Sequence, residues 1–267
     1  MPPAVILCGG FGTRIRGVSD LLPKPMIPIG GRPIVWHIMK QYASIGVTRF
    51  VLCLGYKREV FVDYFLNYRT RSCDCTVSLN KEHAIEFHEQ PGEELGEEQW
   101  EVTLAGTGEN SMTGCRVYRS GKYLKNADHF FLTYGDGISN IDLMALYENH
   151  LASGKMATVS AVRPPGRFGE MQISESGMVR SFSEKPQTSE GLINGGFMVV
   201  RNDFISHYLR DDEELKLEEE PLQQAAADGE LNGVIHEGFW QCMDTAREFE
   251  LLNTMWKENN APWKSGW

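Results

Sequence analysis

Four apolar residues, Ala4-Val5-Ile6-Leu7, run directly into Cys8-Gly9-Gly10-Phe11-Gly12-Thr13-Arg14, and Pro23-Lys24-Pro25-Met26 follows shortly after. A short apolar run closed by glycine reads as a strand buried on both faces, which is how strands of a parallel sheet look. Three glycines in four positions let backbone amides close around an anion, because no Cβ blocks the approach or forbids positive φ. Arg14 adds a planar fork that matches phosphate oxygens. Two prolines stiffen the backbone that carries Lys24. The loop alone is equally compatible with a bare structural turn. It is neither a Walker A loop, since no Gly-Lys-Ser/Thr follows, nor a full dinucleotide fingerprint, since the third glycine is missing at its usual offset.

Composition narrows the setting. The chain has 267 residues, 42% hydrophobic and 23% charged, an ordinary balance for a globular protein with a sizeable core. Its net charge of −10 disfavours non-specific nucleic-acid binding, which needs clustered cations, but leaves room for a phosphate ligand held by a few local charges. No apolar run approaches the length of a membrane span, and the N-terminus lacks the pattern of a secretion signal. The six cysteines show no Cys-x-x-Cys pair and no zinc spacing. A reduced, cytoplasmic protein without a structural metal is expected.

Along the chain, helices are expected at 34–45, 56–68, 115–124, 142–151, 213–227 and 247–259, and strands at 50–54, 75–79, 100–104, 129–133, 157–162, 171–173, 178–182 and 197–200. Strand and helix alternate over the first seventy residues, which predicts βαβ units and a parallel sheet, hence an α/β fold. Glu82 to Gln99 is polar and is expected to be a solvated excursion or hairpin. Glu218-Glu219-Glu220 is expected to form a solvated helical face.

Polar residues recur where such sheets bind ligands, at the carboxyl ends of strands. Tyr134-Gly135-Asp136-Gly137 closes one strand, and Asp136 is suitably placed for a metal. The glycine-punctuated stretch Ser111-Met112-Thr113-Gly114 opens a helix. Asn194-Gly195-Gly196 precedes an apolar run and can offer a donor and an acceptor to a sugar hydroxyl. Asp244 either caps the last helix or supplies a second metal carboxylate.

Six motifs in this order resemble the sugar-1-phosphate nucleotidyltransferases: Leu7 to Arg14, Pro23-Lys24-Pro25, Tyr134 to Gly137, Glu184-Lys185-Pro186, Asn194 to Phe197, and Trp240 to Thr245. The resemblance implies a Rossmann-like nucleotide-diphospho-sugar transferase fold: a mixed, mostly parallel central sheet flanked by helices, with a small antiparallel β excursion. It implies one domain over 1–267, with the polar β excursion at 82–104 and a C-terminal helix and tail at 246–267.

By the same resemblance Leu7, Cys8, Gly9, Gly10, Phe11, Gly12, Thr13, Arg14, Lys24, Ser111, Thr113, Gly114, Arg116 and Gly135 bind the nucleotide. Tyr134, Gly169, Glu184, Lys185 and Asn194 bind the sugar phosphate. Arg14, Lys24, Asp136 and Lys185 are the expected catalytic residues, and Asp136 and Asp244 hold Mg2+. Ser111 to Gly114, Pro164 to Gly169 and Gly238 to Gln241 resemble most the branch that uses CTP and glucose 1-phosphate. A homo-oligomer, hexamer or tetramer, is implied, with neither nucleic acid nor membrane as partner. Two alternatives stay open: another pyrimidine nucleotide or sugar 1-phosphate, and a catalytically inactive nucleotide-sugar-binding regulatory subunit. Cys8 and Cys115 stand where the family usually has alanine and glycine.

Overall fold

The computed structural model describes residues 1–10, 21–79, 84–88, 99–164, 170–173, 178–183 and 191–264. The expectations for Phe11, Gly12, Thr13, Arg14, Gly169, Glu184 and Lys185 lie outside the described residues.

Seven strands form the central sheet: β1 Ala4–Leu7, β2 Arg49–Leu54, β3 Glu101–Gly106, β4 His129–Tyr134, β5 Ala157–Val162, β6 Ile193–Arg201 and β7 Leu231–His236. Their spatial order is β7-β5-β6-β4-β1-β2-β3. All neighbours pair parallel except β6, which runs antiparallel to both β5 and β4. The sheet is therefore mixed and mostly parallel, as expected.

Alternation along the strands explains why both faces are covered. Ala4, Ile6, Phe50, Leu52, Phe131, Phe197 and Val199 pack into one core. Val5, Leu7, Val51, Cys53, Phe130, Leu132, Met198 and Val200 pack into the other. Helix α1 (Ile34–Ala43) belongs to the first core and buries eight of its ten residues, whereas α2 (Arg58–Leu66) buries only Phe61 and Tyr64. Helix α3 (Thr113–Ser120) covers the second through Val117. Truncating a fully buried ring such as Phe131 to alanine costs about 3–5 kcal/mol.

Helix α4 (Leu143–Ser153) starts at Asp142, whose side chain accepts a hydrogen bond from the Ala145 amide, and stops at Gly154 with φ of 64°. The helix expected at 56–68 is shorter, because a second helical turn, Tyr68–Ser72, begins after Asn67. The expected strand at 75–79 appears as Asp74–Val77, which pairs antiparallel with Ile85–His88 from the polar excursion.

One helix is corrected. The expected helix over 213–227 exists only as α5 (Glu220–Ala227). Pro221 lies in its first turn, where a missing N–H costs nothing but would break a helix continuing backwards. Before it, Leu215 and Leu217 are both buried, an alternate pattern that belongs to extended chain. The edge strand β7 and the short helix Phe204–Tyr208 were not anticipated.

Candidate active site

The site sits at the carboxyl ends of β1 and β4, which lie side by side with Leu7 opposite Tyr134. The chain leaves β1 through Cys8 and Gly9, and the Gly135 amide donates back to the Leu7 carbonyl at 2.9 Å. A Cβ on Gly135 would lie 2.9 Å from Pro25 Cγ and 3.0 Å from both Cys8 Sγ and the Leu7 carbonyl. Only glycine lets these three segments meet there.

Lys24 opens a single 3-10 turn, Lys24–Met26, closed by Met26 N–H to the Pro23 carbonyl at 2.8 Å. That turn aims its ammonium at two carboxylates. Lys24 Nζ donates to Asp136 Oδ2 at 2.8 Å and also to Asp244 Oδ1. Its side chain is only 12% exposed. Burial alone would lower the pKa of Lys24, but the charge and hydrogen bonds of Asp136 and Asp244 hold it above the ordinary lysine value.

The two aspartates are brought together by a short antiparallel pair. Gly137–Ser139 pairs with Trp240–Cys242, and Met243 N–H donates to the Asp136 carbonyl at 2.8 Å. The cap of helix α6 (Ala246–Lys257) is Thr245, which forms a capping box with Glu248. Glu248 Oε2 also accepts from the Asp244 amide at 2.6 Å. Thr245, and not Asp244, therefore caps this helix, and the Asp244 carboxylate faces Lys24.

A cavity of about 250 Å3 opens beside this cluster, lined by Leu7, Cys8, Gly9, Gly10, Lys24, Pro25, Tyr134, Gly135 and Asp136, with Glu109 to Thr113 and Arg116 as the opposite wall. A larger, shallower groove of about 700 Å3 lies among Tyr118, Lys122, Lys125 and Asn202, and no residue singled out in the sequence lines it.

Arg116, in the wall of the smaller cavity, is buried and spends its donors on the protein. It bonds the carbonyls of Gly9 at 3.0 Å, Leu54 at 3.3 Å, Gly108 at 2.7 Å and Glu109 at 3.1 Å, and Thr107 Oγ1 at 3.0 Å. It thus ties the loops that follow β1 and β3 to the end of β2. Ser111 Oγ accepts from Arg119 Nη1 at 2.8 Å. Gly114 packs against Leu215.

On the other flank Asn194 uses Oδ1 to accept from the Gly196 amide at 2.8 Å, a local turn that Gly196 completes with φ of 83°. Its Nδ2 lies 3.5 Å from Tyr134 Oη. Trp240 Nε1 donates to the Gly195 carbonyl at 2.7 Å and braces this turn from behind. Sequence reasoning missed Trp240 as a brace, Glu109 and Asn110 as pocket wall, and Glu218, which hydrogen-bonds both Thr113 and Tyr134. No local signal marks them.

Two aspartate carboxylates converge on one ammonium, and among the described residues no group of three or more His, Cys, Asp or Glu side chains gathers into a metal cage. Hard oxygen donors in this small number fit Mg2+, which takes one or two carboxylates and completes its shell with water and substrate phosphates.

An α/β sheet ending in an ammonium between two carboxylates, beside a glycine-lined pocket, defines a phosphate-handling enzyme. The chain belongs to the nucleotidyl transferase family, whose model matches residues 3–245. Among individual proteins, it is 45% identical over 262 residues to the glucose-1-phosphate cytidylyltransferase of Salmonella typhi, covering 98% of each chain. The enzyme of the same name from Salmonella typhimurium is equally similar, again at 45% identity over 98% of each chain. Among solved structures, HddC from Yersinia pseudotuberculosis, complexed with GMP-PN, shares the fold with a TM-score of 0.66 at 23% identity, covering 96% of this chain and 100% of that one.

Proposed function

We propose that this chain transfers CMP from CTP to α-D-glucose 1-phosphate, giving CDP-glucose and pyrophosphate. The observation that carries this reading is the convergence of Lys24, Asp136 and Asp244 beside the pocket that begins at Leu7. The kinship with the Salmonella enzymes supports the choice of CTP and glucose 1-phosphate.

The reaction joins two polyanions. An oxygen of the sugar phosphate attacks the α-phosphorus in line, the bond from the α-phosphorus to the bridging oxygen breaks, and pyrophosphate leaves with that electron pair. The nucleophile is already ionised at neutral pH, so no general base or covalent intermediate is needed. The protein's work is positioning and charge neutralisation. Two unit charges 4 Å apart repel by about 4 kcal/mol at an effective dielectric near 20.

In this reading Gly9 and Gly10 offer backbone amides to the triphosphate, and Lys24 supplies a fixed ammonium to the departing pyrophosphate. Asp136 and Asp244 hold Mg2+, which when bound neutralises phosphate charge and polarises the α-phosphorus. Arg14 and Lys185, outside the described residues, add cations on the pyrophosphate and sugar-phosphate sides. Asn194 and Tyr134 face the hexose. The working assembly is a cytoplasmic homo-oligomer, hexamer or tetramer, which mass measured in solution tests.

Pyrophosphate release across four nucleoside triphosphates and a panel of sugar 1-phosphates tests the substrates. CTP with glucose 1-phosphate is expected to give the highest kcat/KM; a different best pair overturns the specificity.

A further inference from the structure

Residues 211–218 form a strap over the start of α3. The Met112 amide donates to the Glu213 carbonyl at 2.8 Å, and the Gly114 amide to the Leu215 carbonyl at 2.9 Å. The Leu217 amide donates to Thr113 Oγ1 at 2.9 Å. Arg119 holds Asp211 at 2.6 Å and Glu213 at 3.2 Å. Leu215 and Leu217, part of the strap itself, are buried. A Cβ on Gly114 would stand 2.9 Å from the Leu215 carbonyl, so the close approach depends on glycine. Every one of these contacts fixes the backbone just ahead of Glu218.

The carboxylate delivered by this strap reaches two residues of the pocket wall. Glu218 Oε2 accepts from Thr113 Oγ1 at 2.6 Å, and Oε1 accepts from the Tyr134 hydroxyl. An ionised carboxylate only accepts, and a hydroxyl has one hydrogen to give. Both hydroxyl hydrogens are therefore turned outward to Glu218, in charge-assisted bonds about twice as strong as neutral ones. One lone pair of Thr113 Oγ1 takes the Leu217 amide, and Tyr134 Oη has Asn194 Nδ2 at 3.5 Å. What each oxygen still has for a ligand is acceptor capacity.

We infer that Glu218 sets the hydrogen-bond polarity of the pocket: it makes Thr113 an acceptor towards the base, and thereby favours the amine edge of cytosine over the carbonyl edge of uracil. This inference rests on the proposed reaction and on the base lying against Thr113. Glu218 acts through Thr113, so it is a positioning residue and touches no reacting atom. With the carboxylate removed, the Thr113 hydrogen is free to swing inward and donate to a carbonyl, which is what UTP presents. A residue that merely held the strap in place would, on removal, weaken CTP and UTP alike.

The experiment is pyrophosphate release by the full chain with glucose 1-phosphate, comparing kcat/KM for CTP and for UTP. Wild type, Glu218→Ala, Thr113→Val and the double variant are compared, with thermal melts run in parallel. The CTP-to-UTP ratio is expected to fall about tenfold or more in Glu218→Ala, the size of one misdirected hydrogen bond. In the Thr113→Val background, Glu218→Ala is expected to leave the ratio where Thr113→Val alone puts it. An unchanged ratio in Glu218→Ala, or effects that simply multiply in the double variant, overturns the inference. Should Glu218→Ala melt early, Glu218→Leu, which keeps side-chain bulk and offers no acceptor, decides in its place: a lowered ratio supports the polarity role and an unchanged one refutes it. Wild type that releases no pyrophosphate from either nucleotide defeats the proposed reaction and this inference together. Wild type that prefers CTP while its Glu218 variants keep that preference defeats this inference alone.

Discussion

The ammonium of Lys24 and the carboxylate of Asp136 meet at 2.8 Å although 112 residues separate them in the chain. Asp244, a further 108 residues on, closes on the same nitrogen from the other side. Without Lys24, two carboxylates would face each other across a partly buried gap. With it, the cluster carries one net negative charge.

Lys24→Ala is expected to lower kcat by two orders of magnitude or more, because a charge that stabilises the leaving group acts mainly in the transition state. Steady-state kinetics check this. A loss confined to the KM of glucose 1-phosphate would show that the lysine serves the other substrate.

Asp136→Asn preserves shape and removes charge. Turnover is expected to vanish while the melting temperature moves by no more than a few degrees. Near-normal turnover at saturating Mg2+ would refute a cation role for this residue, and Asp244→Asn gives an independent reading of the same site.

Arg116→Ala is expected to destabilise the fold by about 3–5 kcal/mol, since it strands carbonyls of two loops, after β1 and after β3, that one buried guanidinium now satisfies. Urea unfolding measures the loss. A change below about 1 kcal/mol would mean that water replaces the staple at little cost.

His37 gives the stability a pH dependence far from the site. Burial lowers its pKa from 6.5 to about 4, against the opposing pull of the Ile29 carbonyl that its Nε2 meets at 2.8 Å. Above about pH 6.5 the ring is neutral in both folded and unfolded chains. As the pH falls towards about 4, the unfolded chain takes up a proton that the fold refuses, so stability falls across that window. About 2 kcal/mol is expected to go between about pH 6.5 and pH 5 on this account alone. His150, lowered to about 4 mainly by its own burial, acts in the same direction. Urea titrations at several pH values check the slope, which is expected to be shallower in His37→Gln; an identical slope would assign the effect to other groups.

The strands β1, β2, β4 and β5 were legible because each is a short apolar run buried on both faces, a pattern that helices do not share at that length. Strand β7 was not, since Asn232 and Gly233 interrupt it and its partner, β5, lies on one side only. Lys24 and Asp136 were legible from their proline and glycine settings, which constrain backbone near the residue itself. Arg116 and Glu218 were not. Both depend on contacts with residues far along the chain, so the sequence offers Arg116 only as a nucleotide-binding residue and Glu218 only as part of a solvated face. Helix 213–227 failed for a related reason: helical propensity in the acidic stretch yields to the burial of Leu215 and Leu217.

The pairing of Gly137–Ser139 with Trp240–Cys242 has a temporal meaning for a polypeptide made from its N-terminus. The first carboxylate is on hand once residue 136 has been synthesised, but its companion arrives only 108 residues later, carried by a three-residue ribbon that must find its mate. On the proposed reaction, a nascent chain can build its central sheet before both carboxylates are in place, and activity would begin only when this final seam closes.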